Sequence, residues 1–541
     1  MVGIPVRGAG LPPPPCESHL EKAMTEKKTV SRRDFLQTAG AATGALAATG
    51  AFAHPAIGAV KGANDRIKFA VLGAGGRATS AHVKHLTDMK AEGKAVDIIG
   101  ICDVWDGSKD IKDIWIKVKG ERVVVGRGLY PVAEFCGLGH DDKLVTKDYR
   151  KVLESKDVDA IVVGTPDHWH AKMSIDAMES GKDVYCEKPM CHTIDEARRI
   201  TEAQARTKQV FTVGVQSTAN PLWRMAHDTI ASGKIGHVMQ GQTSYYRNSD
   251  VGQWRYYPLL EVMTPKTVDW KMFLGTEFGL APDQPFDRAK YAQWRCYWDF
   301  GGGMYTDLFV HQLTHLIQAM GVRFPRRVVG GGGLYMEYDG RDVPDVATVV
   351  ADYDEGCQVV ISATMCNNVD LGEVIRGHTG SIKFDGAKGF RVEPQKLSSR
   401  PAPPGSTKND AAGDYVAANF DGDSDKDTRA LWDHYIECLR SRNTETLCPA
   451  ETGYAAIATV NLGVDSYRYG KAYFFDKETG KVSEADESWA KKWEKVSKER
   501  GNPNQVMGWK AAPTEGSKLY APGYQKLEGD WVDGQDPARK I

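Results

Sequence analysis

Two patterns of apolar residues divide the chain. Between residues 65 and 215, short continuous apolar runs alternate with amphipathic ones. Ile67–Leu72, Val96–Ile101, Asp157–Gly164, Asp183–Cys186 and Val210–Gly214 are β-rich runs, as expected of strands buried on both faces. Thr79–Glu92, Trp169–Ser180 and Thr193–Thr207 read as the helices between them. Strands alternating with helices over this length predict a doubly wound parallel sheet, with ligands bound at the carboxyl ends of its strands. From Pro221 the pattern changes. A helix to Gly233 is followed by strand-like runs at Val238–Tyr246, Arg327–Tyr338, Ala347–Tyr353 and Cys357–Thr364. Two late helices, Thr428–Arg440 and Thr452–Tyr469, are expected to pack back on the body. Pro394–Asp427 is rich in Pro, Ser, Gly and Asp and reads as a long surface loop. There is no internal repeat.

The chemistry gathers where the predicted strands end. Ile67–Leu72 runs straight into Gly73-Ala74-Gly75-Gly76-Arg77-Ala78. This is a G-x-G-x-x-A form of the dinucleotide fingerprint, set between a strand and a helix. The first Gly permits the tight turn, the second lets backbone approach a pyrophosphate, and Ala78 allows close helix–strand packing. The phosphates would lie at a helix N-terminus. The next strand ends in Asp103, whose carboxylate suits the adenosine ribose hydroxyls and repels a 2′-phosphate, favouring NAD over NADP. Arg77 and Lys109 are the side chains that would reverse that choice. Further candidate cofactor contacts at strand ends are Thr165, Pro166 and His170, with His168 among them as a substrate candidate, then Glu187 and Lys188, and Gln216 near the nicotinamide.

Gly75, Asp103, Thr165-Pro-x-x-x-His170 and Gly181-Lys-Asp-Val-Tyr-Cys-Glu187-Lys188-Pro189 together resemble the glucose–fructose oxidoreductase / inositol dehydrogenase (Gfo/Idh/MocA) family over about 65–475. The resemblance implies an α/β fold: an N-terminal Rossmann sheet (65–215) and a C-terminal α/β domain (216–475) on a large, mostly antiparallel open sheet. Gly301-Gly-Gly-Met-Tyr-Thr-Asp307-Leu-Phe-Val-His311 matches the family's other signature. Asp307 and His311 are four apart, so a helix puts both on one face. By resemblance, Lys188, Asp307 and His311 are the catalytic trio. Oxidising a secondary alcohol needs a base, and histidine titrates in the right range. An ammonium from Lys188 would stabilise developing oxyanion charge. Asp307 orients His311 or binds a second hydroxyl. The family often has Asp three residues after the His; here Thr314 stands there and His315 follows, which puts a substrate hydroxyl contact in doubt. Trp294, Arg295 and His168 are the substrate candidates.

Composition narrows the partners. The 541 residues are 41% hydrophobic and 26% charged with a net charge of −2, so no global field favours nucleic acid. The ten cysteines form no Cys-x-x-Cys pair, which predicts neither a disulfide framework nor structural zinc. Asp307, His311 and His315 form one helical stripe without the further ligands of a metal site, and no metal is expected. Trp and Tyr cluster between Trp223 and Tyr305, suited to sugar rings or to packing. Ser31-Arg-Arg-Asp-Phe-Leu36, the apolar stretch Ala39–Phe52 and Ala51-Phe52-Ala53 fit a twin-arginine export signal cleaved after Ala53. That stretch is short of the roughly 20 residues a membrane span needs. Residues 1–23 read as sequence upstream of a true start at Met24 or as a disordered leader; residues 476–541 form a polar tail.

These readings predict a periplasmic or extracytoplasmic NAD(P)-dependent oxidoreductase. It would act on a secondary hydroxyl of a sugar, sugar derivative or cyclitol and hold its cofactor tightly. The expected assembly is a homodimer or homotetramer. Exported relatives include NAD-dependent glycosidases, so the alternative is transient ring-hydroxyl oxidation followed by elimination. A non-catalytic sugar- or cofactor-binding protein is a third reading, against which the retained Lys188, Asp307 and His311 argue.

Overall fold

The computed structural model describes residues 66–485 except 111–113, 119–120, 250–251, 338, 387, 396–414 and 418–422, together with two short paired strands, Gln505–Met507 and Tyr524–Lys526. The twin-arginine segment with its cleavage site, much of the Pro394–Asp427 linker and most of the tail lie outside the described residues.

Six parallel strands form the first sheet, in the order Val145–Thr146, Val96–Cys102, Ile67–Leu72, Ala160–Val163, Asp183–Glu187, Phe211–Gly214. The chain moves outward in one direction from Ile67–Leu72, then crosses to its other side. The carboxyl end of that strand is therefore the switch point where a crevice opens. The apolar runs are strands because both faces are covered: Phe69–Leu72 and Ala160–Val163 are fully buried. The helix after the glycine turn differs from the uniform one expected. It begins as a π-helical turn, Ala78–Val83, and only then becomes α-helix, Lys84–Ala91. A hairpin, Trp115–Val118 with Glu121–Val124, follows the second strand and was not apparent from the apolar pattern.

The second sheet has eleven strands. Across it run Tyr415–Ala417, Gly389–Pro394, Gly380–Phe384, Val374–Gly377, Val238–Asn248, Cys357–Thr364, Val346–Tyr353, Arg327–Gly333, Tyr473–Asp476 and Lys481–Glu484, with Cys366–Asn367 pairing off Val238–Asn248. All pairs are antiparallel except Val238–Asn248 with Cys357–Thr364. The strand expected over Arg327–Tyr338 stops at Gly333. Beyond it the Asp345 carboxylate accepts the backbone N–H groups of Tyr335, Met336 and Glu337, which draws them off the ladder. Within the predicted loop, Tyr415–Ala417 adds an edge strand. The next helix starts at Ser424 rather than Thr428, because the Asp423 side chain caps it.

That helix, Ser424–Ser441, completes the first domain rather than the second. Trp432 stacks on Tyr185 at 4.3 Å between ring centroids and meets Phe69 edge-on at 5.6 Å. Leu431, Tyr435 and Ile436 bury beside it. Trp432→Ala is expected to destabilise the protein by about 3–5 kcal/mol, read as a lower denaturant midpoint at unchanged slope. A shift worth less than about 1 kcal/mol would mean the helix is peripheral to the core. Among the described residues no helix is long and apolar enough to cross a membrane.

Candidate active site

The glycine turn is built by close approach. Gly73 has φ +86°, and a Cβ there would come within 2.8 Å of the Gly164 carbonyl. A Cβ on Gly75 would meet nothing within 4 Å, so this backbone faces open space in the cleft. Asp103 holds the turn from below: its carboxylate accepts from Ala74 N at 2.6 Å and from Trp105 N at 2.8 Å. Burial pushes its pKa up to about 6 against those two bonds. The expected ribose acceptor is thus also a clamp on the fingerprint. Gly76 lies beside the Arg127 guanidinium. Thr165 Oγ1, Gln216 Oε1 and Arg77 Nη2 are buried without a hydrogen-bond partner among the described residues. A backbone cradle open to the cleft and orphaned polar atoms around it fit a dinucleotide. Gly75→Val is expected to melt like nucleotide-free wild-type protein and to release no nucleotide on denaturation. Retention of nucleotide would refute this account of the cradle.

Three predicted contacts turn out to be supports. Glu187 accepts from Arg77 Nε and from His82 Nε2, both at 2.8 Å, and is buried beneath Arg77 rather than facing the cleft. Burial opposes its charge, but Arg77 and His82 outweigh that and hold the carboxyl well below its usual range. The Trp432 indole donates to His82 Nδ1 at 3.1 Å, which leaves the Nε2–H for Glu187. His170 lies within hydrogen-bond distance of two carbonyls, Pro189 at 2.6 Å and Thr165 at 2.8 Å, and is 1% exposed. It ties together two strand-end loops. Burial opposes its protonation, yet the Cys186 thiol and those carbonyls raise its pKa. His168, offered as a substrate group, is also 1% exposed, packed on Phe273 and Phe300, with Nε2 2.8 Å from the Phe273 carbonyl. Burial lowers its pKa to about 3, so it is a neutral core residue.

The catalytic candidates converge on Asp307. A π-helical turn, Tyr305–Phe309, leads into the α-helix Val310–Met320. Asp307 sits in the wider turn and His311 in the regular one, a distortion common at functional sites. The Asp307 carboxylate accepts from Lys188 Nζ at 2.6 Å, Arg295 Nε at 2.9 Å and Trp254 Nε1 at 3.2 Å. Lys188 also donates to the Asp307 carbonyl at 3.0 Å. Burial would raise the Asp307 pKa, but Lys188 and Arg295 outweigh it and hold the carboxyl far below its usual range. Asp307 therefore does not orient His311: two cations and an indole occupy it. Burial first, then Lys188, depresses the His311 pKa well below the ordinary histidine value. The Lys188–Pro189 peptide is cis.

Arg295 lies 4.1 Å above the Trp294 ring, and both line the cleft. His315, one turn beyond His311, contacts Ser217 Oγ at 3.0 Å and Glu373 at 2.9 Å and stacks on Trp223. The Asp307–His311–His315 stripe thus does not converge, and no group of three His, Cys, Asp or Glu among the described residues is placed for a metal. All nine described cysteines are free. Sequence reasoning missed Trp254 and Asp167. Asp167 accepts from the Thr306 hydroxyl at 2.8 Å, and burial raises its pKa to about 7 while Arg295 pulls the other way. It stood inside the Thr165–His170 motif, and Trp254 inside the aromatic-rich stretch, which were the available signals.

Comparisons with known proteins agree with this architecture. Residues 67–215 match the NAD-binding Rossmann fold of an oxidoreductase family, and residues 227–474 match that family's C-terminal alpha/beta domain. A glycosyl hydrolase family 109 protein of Shewanella pealeana is 28% identical over 252 residues, 42% of this chain and 50% of its own. An alpha-N-acetylgalactosaminidase of Shewanella oneidensis is 26% identical over 253 residues, with the same coverage of 42% and 50%. The chain spans about half the length of the curated relatives it matches. An inositol dehydrogenase homologue from Azotobacter vinelandii, solved with NADH and myo-inositol, is similar in fold, with a TM-score of 0.53 over 78% of this chain and 98% of its own at 15% identity. With both family domains matched in order on a Rossmann sheet and an open mixed sheet, the chain belongs to the Gfo/Idh/MocA family of oxidoreductases.

Proposed function

We propose that this enzyme transfers a hydride between a tightly held NAD and a secondary hydroxyl of a sugar, sugar derivative or cyclitol. The observation that carries the reading is the pairing of Lys188 with Asp307, within electrostatic reach of a neutral His311. Gly73–Arg77, Asp103, Thr165 and Gln216 would hold the dinucleotide, whose nicotinamide takes the hydride from the carbinol carbon. His311 is the base for the hydroxyl proton, since it is neutral and burial keeps it so. Lys188 donates a hydrogen bond to the same oxygen and stabilises its developing charge. Asp307 keeps that ammonium in place. Trp294 and Arg295 flank the substrate.

The curated relatives favour a second reading, an NAD-dependent glycosidase or lyase. Here oxidation of a ring hydroxyl acidifies the neighbouring C–H, the glycosidic bond is lost by elimination, water adds to the resulting double bond in the glycosidase but not in the lyase, and the hydride returns to the ketone. One experiment separates the two. The purified protein is denatured to identify its nucleotide, and intact protein is given glycosides and free sugars without added cofactor. Aglycone release with no net reduction supports the glycosidase; net NADH formation supports the dehydrogenase. Neither event, on a broad panel, would sink both. We propose in addition export by the twin-arginine route, supported by Ser31-Arg-Arg-Asp-Phe-Leu36, and assembly of two or four copies through the open sheet. N-terminal sequencing of exported protein and light scattering test these.

A further inference from the structure

The second domain brings an unexpected surplus of positive charge to this site. Side chains alternate along the strand Val238–Asn248. A Cβ on Gly241 would collide with Met320 and Leu316, so this face is covered by the helix that carries His311. Thr243, Tyr245 and Arg247 share the face. Thr243 is buried, and the Tyr245 ring centroid lies 6.2 Å from that of His311. Arg247 lies against the same tyrosine, its guanidinium carbon 4.7 Å from the ring centroid and its Nη2 2.6 Å from the hydroxyl. It is also close enough to feel the Asp307 charge. Tyr256, 48% exposed, is within electrostatic reach of Arg247, Asp307 and Arg295 alike.

The charges do not balance. Lys188, Arg295 and Arg247 are cations, and Asp307, the carboxylate at their centre, is bonded by two of them. Of the other acids, Glu187 is taken by Arg77 and His82, and Asp167 lies behind Thr306, where burial and Asp307 both work against its charge. The guanidinium groups are also incompletely used. Arg295 gives its Nε to Asp307, and Arg247 gives its Nη2 to Tyr245. Their other nitrogens have no hydrogen-bond partner among the described residues and are not sealed in the interior. A planar guanidinium with free donors is matched by a planar carboxylate, which accepts two parallel bonds. Arg77 and Arg127 lie beside the glycine turn, where the diphosphate of a dinucleotide would be held. Arg247 and Arg295 therefore serve something else.

We propose that the substrate is a sugar acid of the uronic type, its carboxylate held by Arg247 and Arg295 while the reacting hydroxyl faces Lys188 and His311. The inference narrows the function proposed above and rests on it. The test measures binding apart from turnover. Nucleotide-loaded protein is titrated with methyl glycosides of glucuronate, galacturonate and mannuronate, each against its neutral hexoside. At least one uronate should bind at least about tenfold more tightly than its hexoside. That preference should fall with added salt. Arg247→Met should abolish most of it while leaving hexoside binding nearly unchanged, and Arg247→Lys should restore part. Equal binding of every acid and its neutral partner by the wild-type protein overturns the inference, as does a preference indifferent to Arg247→Met in a variant that melts normally. Turnover is followed in the same samples. A uronate preference without any redox or cleavage chemistry sinks the proposed function and spares the binding site. Turnover of neutral hexosides without preference does the reverse.

Discussion

Lys188→Met should lower kcat/KM by roughly 10³-fold while the protein stays folded. The two halves of this expectation come from the same contacts. The ammonium is the one cation that touches both Asp307 and, in the proposed reaction, the substrate oxygen; it sits 2.6 Å from the Asp307 carboxylate. Methionine fills a similar volume but donates no hydrogen bond. Removing one partner of a buried ion pair is usually damaging because a charge is left alone. Here Asp307 keeps Arg295 Nε at 2.9 Å and Trp254 Nε1 at 3.2 Å, so its carboxylate stays paired. Lys188→Arg should not rescue turnover, since a guanidinium cannot put one compact charge in the same place. A loss smaller than about tenfold, in protein of normal melting temperature, would remove Lys188 from the chemistry.

His311→Asn should cost about 10²–10⁴-fold in kcat/KM and should also change the shape of the pH profile. A base works in its deprotonated form. Burial and the neighbouring Lys188 depress the His311 pKa well below its ordinary value of 6.5. The wild-type profile should therefore stay level as pH falls through 6.5 and drop only further into acid. In His311→Asn that limb should vanish. In Lys188→Met the residual activity should show the limb at higher pH, because one of the two causes of the depression is gone. An acid limb that stays at the same pH in His311→Asn, or near-normal activity of that variant, would displace His311 as the base.

The sheet that carries the nucleotide site was legible because buried parallel strands must be apolar throughout, and Ile67–Leu72 or Ala160–Val163 offers no competing period. The pairing of Lys188 with Asp307 was legible only through a resemblance, since the two are far apart in sequence. The place of His311 beside them was not. Asp307 and His311 four residues apart suggest a shared helical face, but the π-helical turn changes the angle between them, and Asp307 is drawn to Lys188 and Arg295 instead. His168 and His170 fell at a strand end, where polar residues usually face ligand. Both instead reach carbonyls that would otherwise be buried unpaired, and sequence does not reveal where a distant loop's backbone runs. Glu187 failed for the same reason: its partners, Arg77 and His82, come from the first helix, and the helix of Trp432 sets the His82 tautomer.

That last contact has a consequence for the order of events in the cell. Phe69, in the first strand of the sheet, rests against Trp432, so the chain must be made through Trp432 before this face of the domain can close. Until then the apolar side of the earliest strand has no native cover, and a chaperone has something to hold. The fingerprint can bend into shape early, but His82 cannot receive its indole, nor Glu187 be supported through it, until Trp432 has been made. A fragment ending at residue 215 would lack one wall of its own core.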